Sequence, residues 1–167
     1  MHIPNKLWLL ALSLIVFISS VGGQEMGKSA GQNVPEMEFG ALPGLPSCMT
    51  GSVQNGDPTK GSSIILGKAQ RGCSIPWHWH TPIEHLMMVS GVARVEMKDG
   101  TPLTLRAGGF TMLPSRHVHQ FRCEQDCLLY IYSDVAFDIH YVNGQGTEIS
   151  PADALKPLKE TATVMMK

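Results

Sequence analysis

Four of the seven histidines fall in two close pairs. His78 and His80 stand two residues apart, and His117 and His119 repeat that spacing further along the chain. On an extended strand, residues i and i+2 face the same way, so each pair presents both imidazoles to one side. Glu84 follows His80 after Thr81-Pro82-Ile83, where the proline bends the chain and can return the carboxylate toward the first pair. If the two strands pair antiparallel, three imidazoles and a carboxylate converge. That mixed N/O donor set suits one divalent transition metal ion, such as Mn, Fe, Ni, Cu or Zn. Three or four protein ligands leave positions for water or substrate, as metal-assisted catalysis requires.

Strand alternation also orders the surroundings. Counting from Glu84 puts Leu86 and Met88 inward, and counting from His119 puts Phe121 inward. These three would form an apolar pocket over a polar metal floor, the usual recipe for binding a small organic ligand. His117 shares the side of His119 and is the candidate catalytic residue, as general base, or an alternative ligand. His85 is the alternative to Glu84, although alternation points it away if Glu84 points in. Trp77 and Trp79 should face outward and need cover, either from the N-terminal arm or from a second copy of the chain in a homodimer. Asp138 and His140 share one face of the last strand and read as structural. The strand methionines Met87, Met88, Met97 and Met112 read as core filling.

The elements that must position these groups are short apolar runs between turn signals. Ser62–Lys68, Glu84–Ser90, Val92–Met97, Leu103–Arg106, Phe110–Leu113, His117–Arg122, Leu128–Ser133 and Phe137–Val142 read as strands. Gly72, Gly91, Asp99-Gly100, Gly108-Gly109 and Asn143-Gly144 punctuate them. Eight short strands with no long helix between them make the domain all-β, an antiparallel sandwich or barrel spanning residues 61–145. Residues 24–60, rich in Gly, Pro, Ser and Asn, read as an extended N-terminal arm. Residues 146–167 read as a helical tail, with Ser150 as N-cap, Pro151 at the first helical position and a thin stripe of Ala152, Leu155 and Leu158.

Residues 1–23 have the layout of a secretory signal peptide: Lys6, then the apolar run Leu7–Ile18, then small residues up to Gly23. The expected product is exported, periplasmic or extracellular, with no membrane attachment once the signal is removed. Beyond residue 23 the chain carries 12 Lys plus Arg against 14 Asp plus Glu, a balance of −2. That offers no footprint for nucleic acid. Cys48, Cys73, Cys123 and Cys127 are an even set in an oxidising compartment. A hairpin over Glu124-Gln125-Asp126 would bring Cys123 and Cys127 within bridging distance. Cys48 and Cys73 remain as a second candidate pair.

The segment Gly72–Gly91 resembles the first cupin motif, G-x5-H-x-H-x3-E-x6-G, at Gly72, His78, His80, Glu84 and Gly91. Gly108, Pro114 and His119 match the second motif, G-x5-P-x-G-x2-H-x3-N. Arg116 stands where that motif has Gly, and Cys123 where it has Asn. The resemblance implies a double-stranded β-helix, or jelly-roll barrel, with one metal held by His78, His80, Glu84 and His119. It further implies a metal-dependent enzyme acting on a small organic molecule, oxygenase-like or else an isomerase or lyase. Non-catalytic binding and structural cupins are the alternative. Arg116 is either a surface loop residue or a group reaching toward the pocket mouth.

Overall fold

A computed structural model describes residues 30–156. The expected signal segment 1–23, the first residues of the arm and the tail residues 157–167 lie outside the described range. The chain divides after Gln32, and the fold is that of the unit beginning at Asn33.

Among the described residues, ten strands follow a single 3-10 turn at Val34–Glu36. They are β1 (Gly40–Ala41), β2 (Met49–Gly56), β3 (Ser63–Ala69), β4 (Ser74–Trp79), β5 (Glu84–Met97), β6 (Leu103–Arg106), β7 (Phe110–Leu113), β8 (His119–Ser133), β9 (His140–Val142) and β10 (Glu148–Ile149). All pairings are antiparallel. The sheet runs β1-β2-β3-β8-β4-β9-β10, with β5 also paired to β8 and carrying β6 and β7. The order has two free ends, so the jelly roll is realised without hydrogen bonding closing the sheet on itself.

Two long strands replace four expected short ones. Glu84–Ser90 and Val92–Met97 join into β5, and the two runs either side of Glu124-Gln125-Asp126 join into β8. Gly91 is not a chain end; it sits at φ +87°, where a Cβ would lie 2.2 Å from the Asp126 carbonyl oxygen. Only glycine fits so close an approach. Here the register shifts three times between Met88 and Ala93, so that residues 88–93 of β5 oppose residues 123–129 of β8, a net one more on β8 in a bulged stretch. Burial on β5 accordingly changes parity, from Glu84, Leu86 and Met88 to Ala93 and Val95.

Each long strand serves two neighbourhoods. Residues Cys127–Ser133 of β8 pair with β3, while its first residues pair with β4. Inward residues of β8 run His119, Phe121, Cys123, Cys127, Leu129 and Ile131, an alternation interrupted only at the exposed Gln125, which carries the metal-site end into the core. The Cys123–Cys127 disulfide is present, closed across the bulge instead of a hairpin tip, with Cα atoms 6.0 Å apart. Cys48 and Cys73 are bridged as well, tying the chain ahead of β2 to that ahead of β4.

Within the arm, Gly40–Ala41 and Met49–Gly56 are strands β1 and β2, the latter laid along β3. Met49 is buried, and Leu42 and Leu45 pack on the core. At the other end residues 151–156 are helical. The Ser150 hydroxyl accepts the Asp153 N–H (3.1 Å) and donates to its carboxylate (2.6 Å), the capping pattern expected there.

Candidate metal centre

His78 near the end of β4 lies directly opposite His119 at the start of β8. Their rings stand 4.2 Å apart by centroids, and His80, just past β4, stands 4.8 Å from His78. The ligand atoms of the three imidazoles all lie within 4.8 Å of one another, so these side chains could hold a metal ion. Glu84 opens β5 after the buried Pro82 bend. Its Oε2 is 3.5 Å from His80 Nε2 and 3.4 Å from His119 Nε2. All four side chains are nearly inaccessible: relative exposure is 2% for His78 and His119, 3% for His80 and 6% for Glu84.

Each imidazole is oriented by a main-chain carbonyl. Nδ1 of His78 meets Pro76 O at 2.6 Å, Nδ1 of His119 meets His117 O at 2.8 Å, and Nδ1 of His80 meets Asp138 O. A carbonyl only accepts, so each Nδ1 carries the proton and each Nε2 presents a lone pair. Among the described residues, His80 Nε2 is buried without a hydrogen-bond partner. Three inward lone pairs beside a buried carboxylate repel one another unless a cation lies between them. The donor set therefore fits a divalent transition ion.

Protonation follows the same logic. Burial, and then the neighbouring His119 and His80, hold His78 well below the usual imidazole range. Burial likewise lowers His80, although Glu84 opposes it. Burial alone would raise Glu84, but the facing His80 and His119 outweigh it and hold the carboxyl below its ordinary value. His78 and His80 are thus disposed to be neutral and Glu84 ionised, the forms that bind metal.

A cavity of about 20 Å3 opens on these groups. It has room for little more than one water molecule. Leu86, Phe121, Ile75 and Phe137 are among its walls. Met88 is buried in the adjoining core without lining the cavity. His117 precedes β8 in a turn closed by its N–H to Pro114 O (3.0 Å). Its side chain is not part of the cavity wall, and its Nδ1 is buried without a partner. His85 points to the opposite side of β5, against Tyr132 and Phe110. Trp79 stacks on His140 at 3.9 Å.

Arg116 adopts φ 60°, the left-handed conformation for which the motif uses glycine. Its N–H donates to His80 O (2.8 Å), and its guanidinium lies over the Trp79 ring at 4.8 Å. It is a surface residue that supports the site from behind. His140, held by Asp138 and Glu148, is raised above the ordinary imidazole value even though burial opposes the shift.

Sequence reasoning missed Leu45 and Met49 of the arm, which wall the cavity, and the Asp138 carbonyl that orients His80. Cys48, next to Met49 and bridged to Cys73 at the head of β4, was the one available hint that the arm reaches the core.

The Cupin domain family matches residues 67–132. No curated protein matches the sequence significantly. Among solved structures, an RmlC-like cupin from Ralstonia eutropha is similar over 82% of this chain and 88% of its own, at 16% identity and TM-score 0.57. A suspected acetylacetone dioxygenase from Methylibium petroleiphilum is similar over 76% and 90% respectively, at 14% identity and TM-score 0.57. The DMSP lyase DddQ from Ruegeria pomeroyi is similar over 59% and 56%, at 16% identity and TM-score 0.51. At such identities the likeness speaks for the fold alone.

Proposed function

The chain is a member of the cupin superfamily, and on that footing we propose that it is an exported, metal-dependent enzyme of dioxygenase type acting on a small organic molecule. The observation that carries this reading is the set of three Nδ1–carbonyl contacts, which leaves three Nε2 lone pairs and the Glu84 carboxylate facing one small cavity. His78, His80, Glu84 and His119 are the proposed ligands. A divalent transition ion bound there supplies Lewis acidity and coordination positions beyond its protein ligands.

The protein's own contribution is orientation and exclusion of water. Main-chain carbonyls fix all three imidazole tautomers, so no ligand reorganises when the ion binds. Leu86 and Phe121 put apolar wall around the polar groups and leave little room for solvent, which strengthens the electrostatic contacts there. His117 acts through its carbonyl, holding His119 in place. A purely structural metal is enclosed by its ligands. Here a cavity adjoins the site, which favours catalysis over a staple.

Export is supported by the two disulfides and by the leader-like residues 1–23; no described helix is long and apolar enough to cross a membrane. The test of activity is oxygen uptake by the metal-loaded protein with a panel of phenols, thiols and diketones. Consumption with one chemical class is the expected result. No uptake with any compound, together with tight retention of one of them, would replace the enzyme with a binding protein.

A further inference from the structure

Beside the metal cavity lies a second chamber of about 110 Å3, walled by residues that include Leu42 and Ile65 and reaching the surface at the exposed Pro43 and Thr59. The two spaces share Leu45, Ile131 and Phe137, which are therefore the partition between them. Ile131 is buried in β8 and fixed by the sheet. Leu45 and Phe137 are only partly buried and stand on connections, the first in the turn before β2 and the second between β8 and β9.

Both connections are pinned through their backbones. The Tyr141 hydroxyl donates to Gly44 O at 2.9 Å, and the Leu45 N–H donates to Leu42 O at 3.1 Å. The Phe137 N–H donates to Pro58 O at 2.8 Å, while the carboxylates of Asp134 and Asp138 accept the N–H groups of Ile83 and Thr81. What remains free to change is side-chain rotation. Turning Leu45 and Phe137 would merge the chambers and uncover the metal ligands, because the Phe137 ring stands 4.5 Å from that of His80.

Among the described residues, neither chamber is lined by a lysine or an arginine. An anion crossing this path would shed its water with no cation on the wall, and would then meet the buried Glu84 carboxylate. A neutral molecule pays no such cost, and the apolar outer walls favour it.

We propose that substrate reaches the metal through the outer chamber, past a gate formed by Leu45 and Phe137, and that the site takes small, uncharged, largely apolar molecules carrying an oxygen donor. This rests on the metal-dependent reading above. The two chambers together are small, so the gate sets an upper size limit as well as a charge preference.

The test uses the full exported protein loaded with Co(II), whose visible spectrum reports both metal binding and a new ligand on it. The probes are acetohydroxamic acid and benzohydroxamic acid, both uncharged near neutral pH, and the oxalate dianion. Acetohydroxamic acid should shift the spectrum of the unmodified protein; benzohydroxamic acid and oxalate should do so at least roughly tenfold more weakly, the scale on which a tight apolar pocket discriminates by size. Leu45→Ala and Phe137→Ala should each bring benzohydroxamic acid up by a similar factor, at unchanged cobalt stoichiometry. Phe110→Ala, on the outer face of the sheet, should change nothing. Oxalate binding as tightly as acetohydroxamic acid would overturn the substrate class. Unchanged benzohydroxamic acid binding in cobalt-loaded Leu45→Ala and Phe137→Ala would overturn the gate. Absence of any cobalt spectrum would refute the metal reading itself, and the route with it.

Discussion

Glu84 and His85 are neighbours with opposite surroundings, one facing three imidazoles and the other facing Phe110 and Tyr132. Glu84→Gln keeps the shape and removes the charge. It should weaken metal retention by at least the roughly 10–100-fold seen when an outer-shell partner is lost, measured by competition with a chelator. His85→Ala should leave retention unchanged, and the reverse pattern would exchange the two assignments. Protonation gives a second handle. His78 and His80 have folded values below the ordinary 6.5, mainly through burial, so below that pH the unfolded chain binds more protons than the folded one. Their contribution to stability is then complete above 6.5 and lost as pH falls toward their folded values; Glu84, also lowered, acts in the same direction. The melting temperature of the metal-free protein should therefore fall between about pH 7 and pH 5, and a flat profile would contradict the buried neutral histidines. The partly exposed His140, raised instead of lowered, opposes this only weakly. The four proposed ligands were legible because strand spacing turns residue type into direction. The groups that orient them were not, since Pro76, His117 and Asp138 act through carbonyls, which every residue possesses.

At the scale of elements, local pattern located strands but not where they join. Gly91 and Glu124-Gln125-Asp126 look like chain reversals when read singly. Opposite each other they are one bulged stretch with three register shifts within two continuous strands, a fact that exists only in the pairing. The same bulge explains why a bridge between cysteines four apart needs no hairpin. Loop-closure entropy separates the two disulfides. Replacing Cys48 and Cys73 by Ala, a separation of 25, should cost about 3.5 kcal/mol, and replacing Cys123 and Cys127 about 2 kcal/mol. Denaturant unfolding would check the order, and equal or reversed costs would show that strain or residual structure outweighs loop length. Arg116 makes the opposite kind of prediction. Its left-handed backbone costs about 1–2 kcal/mol in a non-glycine residue, and the ring contact of an exposed guanidinium with Trp79 offsets only part of it. Arg116→Gly should raise the melting temperature slightly; a clear fall would mean that the Trp79 contact holds the loop.

For the whole molecule, a jelly roll stapled by two disulfides suits a chain proposed to work outside the reducing cytoplasm. The all-β class was legible from the density of short runs and turns. The part played by the arm was not, because β2 has little apolar periodicity and earns its place by pairing with β3. Fold alone leaves the chemistry open, since one scaffold serves many functions. The central claim is that His78, His80, Glu84 and His119 hold one divalent transition ion in a small buried cavity. Elemental analysis of the protein isolated from its native compartment, beside the His78→Ala and His119→Ala variants, tests it most directly. One equivalent of a single transition metal, absent from both variants, is the expected result. No metal in the native protein, with no rise in melting temperature when Mn, Fe, Ni, Cu or Zn is added, would contradict it.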